Sequence, residues 1–122
     1  MSALLKHEEQ LEKALELGGF AHSLSDVMQQ VATGQAQVFY NETAVLVTEL
    51  VKTRIGHTVN LWLTAGEMEG VVELSRIATE AATEYGCNRA TFMGRVGWRR
   101  APAVLSDGWR ERAVVFVKEL GD

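Results

Sequence analysis

Between residues 37 and 64 the chain holds three strand-like segments whose connections are too short to cross over a sheet. Residues 37–40 (QVFY) end at Asn41-Glu42, residues 43–50 (TAVLVTEL) are rich in β-branched side chains, and a polar turn at 52–56 leads into 58–64 (TVNLWLT). A parallel pairing would need a crossover of about a dozen residues, so these spacings predict an antiparallel meander. In the third segment, alternation puts Val59, Leu61 and Leu63 on one face and Asn60, Trp62 and Thr64 on the other.

A meander needs cover, and the flanking sequence supplies helices. Over 67–85, Met68, Val71, Val72, Ser75, Ala78, Ala82 and Tyr85 recur at helical spacing, and Gly86 ends the run. A strand at 89–93, a Gly94-Arg95-Val96-Gly97 junction and a short helix at 98–105 follow, with Pro102 in its first turn. After the Asp107-Gly108 turn, residues 109–118 alternate and then run apolar through Ala113–Val117, which reads as a buried last strand. Ahead of the meander, residues 2–17 form an amphipathic helix with Leu4, Leu11 and Leu15 on one stripe, stopped by Gly18-Gly19. A short helix at 24–33 begins with Ser23 or Ser25 as N-cap and Asp26 in its first turn, and Gly34 closes it. The order predicts the α/β class in its mixed α+β form: a mostly antiparallel sheet flanked by helices, with an extra N-terminal helix. The division is residues 1–19 as that helix and 20–122 as one domain. The stripe on the first helix faces either its own domain or another chain.

Composition narrows the function. At 122 residues this is one domain. The lone Cys87 excludes an internal disulfide and, following a helix C-terminus, reads as a small buried hydrophobe. His7, His22 and His57 lack ligand spacing, so no metal site is expected. No apolar run approaches the ~20 residues of a membrane span, and the acidic, broken N-terminus does not read as a signal peptide. The net charge of −4 disfavours general nucleic-acid binding. It is also unevenly placed. Residues 87–122 carry seven basic and four acidic side chains, net +3, whereas the first 86 carry five basic and twelve acidic, net −7. That asymmetry points to self-association or an acidic partner, with ordinary solvated charge as the alternative. Arg95, Trp98, Arg99, Arg100, Trp109, Arg110 and Arg112 form an aromatic and basic cluster. Such a cluster grips a protein surface or stacks on bases; otherwise its Trp are core anchors covered by Arg stems.

From residue 23 onward the order resembles the GNAT fold of N-acetyltransferases, in which a meander leads into a long helix, a further strand, a short helix and a last strand. The string Gly94-Arg95-Val96-Gly97-Trp98 ahead of Asp107-Gly108-Trp109 resembles small bacteriophage-encoded proteins with a GNAT-like domain, usually encoded among virion structural genes. The resemblance implies a location in the virion or the host cytoplasm. It also implies where acetyl-CoA binds in the enzymes: its pyrophosphate sits on backbone N–H groups at the start of the long helix, through a Gln/Arg-x-x-Gly-x-Gly/Ala signature. The matching turn here, residues 64–70 (TAGEMEG), keeps Gly66 and Gly70 but has no Arg, Lys or Gln. Glu67 and Glu69 suit the helix dipole and repel a pyrophosphate. Family enzymes also use a Glu or a water on the central strands as base and a Tyr in the short helix as acid. Here the short helix offers Trp98, Arg99 and Arg100, Glu49 is the candidate base, and Tyr40 and Tyr85 are the only tyrosines.

The expectation is therefore a non-catalytic, virion-associated phage protein that uses a degenerate GNAT-like domain as a protein-interaction module, with no catalytic residues and no cofactor. Its partners would be other virion proteins and itself, met through Leu4, Leu11, Leu15 and the Arg/Trp cluster. The alternative is an acetyl-CoA-dependent N-acetyltransferase with a divergent site at Gly66 and Gly70. A third reading is a small DNA-associated factor using the Arg cluster.

Overall fold

The short connections act as their length dictates. In the computed structural model, which describes residues 2–17, 23–93, 98, 101–114, 116, 118, 120 and 121, β1 (Ala36–Tyr40), β2 (Ala44–Thr53) and β3 (Gly56–Gly66) form an antiparallel meander. The helix that follows, α4 (Met68–Tyr85), returns the chain so that β4 (Cys87–Phe92) pairs parallel to β3. The sheet order is β1-β2-β3-β4. Gly86 closes α4 in a left-handed conformation (φ 112°), with its N–H on the Ala82 and Thr83 carbonyls.

Both faces of the sheet are covered. α4 lays Val71, Leu74, Ala78 and Ala82 on Ala44, Leu46, Val59 and Leu61. On the other face α1 (Ser2–Lys6), α2 (Glu8–Leu17) and α3 (Leu24–Ala32) lay Leu4, Leu11, Leu15, Leu24 and Val27 on Val45, Val47, Leu63 and Ala65. α3 starts with a capping box: Asp26 N–H donates to Ser23 Oγ at 3.2 Å, and Ser23 N–H donates to Asp26 Oδ2 at 2.9 Å. Ser23 is thus the N-cap of the two candidates.

Four expectations change. Residues 2–17 are two helices, because at His7 the chain tightens into an N–H bond to the Leu4 carbonyl (3.3 Å). Their leucine stripe packs on its own domain, one of the two alternatives above. Leu4 and Leu11 are wholly buried and Leu15 nearly so, all against their own sheet, since the stripe matches the apolar face of the meander. Leu63 does not share a face with Val59 and Leu61. Val47 pairs with Leu63 and Thr48 with Leu61, so Trp62 is an extra residue in β3. At such a bulge two successive side chains go the same way; Trp62 and Leu63 both pack towards α1–α3. Finally, the last strand over 109–118 does not form among the described residues. α5 (Pro102–Ser106) ends at the Asp107 turn, and beyond Trp109 the described residues lie on no strand, with Val114 60% and Phe116 91% exposed. Apolar alternation gives propensity, but a strand also needs a neighbour. Arg95, Arg99 and Arg100 lie outside the described residues.

Candidate functional site

The turn between β3 and α4 decides whether this fold can hold a nucleotide thioester. An anion site at a helix start needs free N–H donors and room against them. Two donors just ahead of the helix are used internally. Gly66 N–H donates to Gln10 Oε1 at 2.8 Å, and Glu67 N–H donates to the Thr43 carbonyl at 3.1 Å.

The β1–β2 turn packs against the same corner. Asn41 Oδ1 accepts the N–H groups of Thr43 (3.1 Å) and Ala44 (2.8 Å), which folds residues 41–44 into a tight loop. Asn41 Nδ2 then donates to the Gly70 carbonyl at 3.1 Å. Gly66 has φ 111°, and a Cβ there would collide with the Thr43 carbonyl oxygen and Ala44. At Gly70 a Cβ would collide with Thr43 Oγ1 and Ala44. The two glycines are thus explained by the loop packed on them. Lys6 Nζ adds a bond to the Glu42 carbonyl at 3.0 Å, so both α1 and α2 hold this corner. Glu67 and Glu69 are exposed beside it, so the turn sets two carboxylates near any anion that would approach the start of α4.

A second polar arrangement lies across the sheet. Asn60 Nδ2 donates to Glu49 Oε1 at 2.9 Å, and Thr91 Oγ1 donates to Asn60 Oδ1 at 3.0 Å, joining β2, β3 and β4. Glu49 and Asn60 are half-buried. β4 pairs with β3 only as far as Leu61, so residues 62–66 of β3 have no strand on that side among the described residues. Among the described residues Glu49 is the carboxylate of this ladder.

The aromatic cluster is drawn inward. Trp98 and Trp109 are half-buried and meet Phe92 edge-on, with centroids at 5.6 and 4.7 Å, at the end of the α4 core. Arg110 Nη1 donates to the carbonyls of Leu105 (3.2 Å) and Trp109 (2.7 Å), and Arg112 is exposed. Cys87 is buried, and both tyrosines are exposed. Among the described residues no group of His, Cys, Asp or Glu is arranged to hold a metal ion, and no helix is long and apolar enough to cross a membrane. Sequence reasoning missed Gln10, Lys6 and Thr43. Asn41 ahead of Thr43 carried a turn signal; nothing local to Gln10 or Lys6 marks a partner so far along the chain.

No family model and no curated protein sequence matches the chain. Solved structures do. A probable acetyltransferase matches at 14% identity over 92% of this chain and 88% of its own, with a TM-score of 0.67. An aminoglycoside acetyltransferase from an uncultured soil metagenomic sample, solved with sisomicin, matches at 13% identity, 97% and 88% coverage and TM-score 0.69. An acetyltransferase of Trypanosoma brucei matches at 15% identity, 93% and 94% coverage and TM-score 0.61. The chain has a GNAT-like acetyltransferase fold: a mixed α+β unit with a mostly antiparallel four-stranded sheet between helices.

Proposed function

We propose that this chain uses an acetyltransferase-like fold as a non-catalytic protein-interaction module. One observation carries the reading: at the corner where the fold family would bind acetyl-CoA, the Gly66 N–H is bound to Gln10, the Glu67 N–H is bound to Thr43, and the loop at 41–44 packs on Gly66 and Gly70. The carboxylates of Glu67 and Glu69 support it, because they would face the negative charge of a pyrophosphate. The virion setting rests on the resemblance of the strings at 94–98 and 107–109 to phage-encoded GNAT-like proteins; its partners would be virion proteins in the particle or the host cytoplasm. The test is titration with acetyl-CoA, followed by thermal unfolding and calorimetry. No heat and no rise in melting temperature are expected. A saturable rise, which binding to the folded state produces by mass action, would overturn the reading.

A second reading, an N-acetyltransferase with a divergent site, is favoured by the Glu49–Asn60–Thr91 ladder beside the unpaired end of β3. Release of free thiol from acetyl-CoA with a panel of amines, abolished by Glu49→Gln, would establish it.

A further inference from the structure

The outward side of α4 carries a groove floored by Met68, Val72, Ile77 and, from α5, Ala103. Met68 and Ile77 are 44% and 45% exposed, on a helix whose opposite side already covers the sheet. The rim is acidic, from Glu69, Glu73 and Glu80. Arg76 also lines the groove, but its Nε lies 3.2 Å from Asp107 Oδ1, so that charge is balanced within the chain.

The C-terminal segment carries the complementary pattern. In an extended chain alternate side chains point the same way, so positions 112, 114, 116 and 118 present Arg, Val, Phe and Lys along one side. Cations flank an apolar pair, as acids flank the apolar floor of the groove. The lengths agree: the six steps from Arg112 to Lys118 span about 20 Å at ~3.3 Å each, and the eleven from Glu69 to Glu80 span about 17 Å at ~1.5 Å each. The chain does not join the two by itself, since Phe116 stays 91% exposed while the groove floor stays open.

We infer that the segment around Val114 and Phe116 of one copy seats in the α4 groove of a second copy, with Arg112 and Lys118 against Glu69 and Glu80. Reciprocal exchange closes a two-fold dimer. The charge split between the two parts of the chain is then the means of association. This inference rests on the interaction reading above, naming its surface and its partner. A cofactor titration reads the β3–α4 turn and the experiment below reads association, so either can fail alone.

The experiment is light scattering and sedimentation of the full chain over a range of concentrations and salt, with two charge-reversed variants, Glu69→Lys/Glu80→Lys in the groove and Arg112→Glu/Lys118→Glu in the segment. All four side chains are exposed, and thermal unfolding checks that each variant folds. Wild type should run as a dimer that salt weakens. Each variant alone should associate at least about tenfold more weakly, and an equal mixture of the two should restore the dimer, since both exchanged contacts are again of opposite charge. A wild type that stays monomeric at low salt, variants that dimerise like wild type, or a mixture that fails to restore association would each overturn the inference.

Discussion

The side-chain oxygen of Gln10 accepts the backbone N–H of Gly66 at 2.8 Å, joining α2 to the end of β3 across 56 positions. A donor that an anion would need is thus given to the N-terminal helix. Replacing Gln10 with Ala should cost about 0.5–1.5 kcal/mol, the net worth of one such bond, and lower the melting temperature by a few degrees. Acetyl-CoA should still leave that temperature unmoved, because Glu67 N–H remains on Thr43 and the loop at 41–44 remains in place. A ligand-induced rise in Gln10→Ala alone would show that a single side chain closes the turn.

Gly70 gives a sharper test, because two effects oppose each other there. Within a helix, Gly→Ala ordinarily stabilises by up to about 1 kcal/mol. Here the added methyl would strike Thr43 Oγ1 and Ala44, and overpacking typically costs about 1–3 kcal/mol. The clash should win, so Gly70→Ala should be the less stable protein in urea denaturation. Thr43→Ala in the same chain should recover part of the loss. A Gly70→Ala variant as stable as wild type would mean that the β1–β2 loop does not press on the turn.

Much of this architecture is written locally. The two connections of the meander, the apolar period of α4 and the Ser23–Asp26 cap each act within a few residues, and each appears close to where its chemistry asks for it, although the turn expected at 52–56 shrinks to 54–55 because Lys52 and Thr53 pair with His57 and Gly56. Trp62 marks a limit: an inserted residue leaves the alternation of 58–64 intact, and only pairing with β2 shows that Leu63 has changed face. Gln10 marks another, since its partner is set by the docking of α2 on the sheet. The segment after Trp109 marks a third, because strand propensity says nothing about whether an edge is there to receive it.

Leu11 separates a core role from a docking role. It is fully buried between α2, α3 and the sheet, so Leu11→Ala should cost about 2–4 kcal/mol, a large share of a single domain's stability. The loss should be the same at every protein concentration. A residue that held two copies together would show a penalty that fades on dilution, and denaturation at two concentrations well apart distinguishes the cases.

Asn60 offers a test through pH. Its amide donates to Glu49 Oε1 at 2.9 Å and its oxygen accepts from Thr91. Asn60→Asp would keep the acceptor, remove the donor and set a second carboxylate against Glu49. Two like charges at that distance cannot both ionise cheaply, so the carboxyl pair in the folded state holds a proton to higher pH than in the unfolded chain. The sign follows: the folded state binds more protons, and stability rises as pH falls. At neutral pH the variant should be about 1–3 kcal/mol less stable than wild type, and the gap should narrow as pH falls through the raised carboxyl range. Urea denaturation of both proteins from neutral to mildly acidic pH measures it. A gap that does not change with pH would mean that Glu49 turns out to solvent when its partner is lost, and that the ladder across β2, β3 and β4 does not hold it in place.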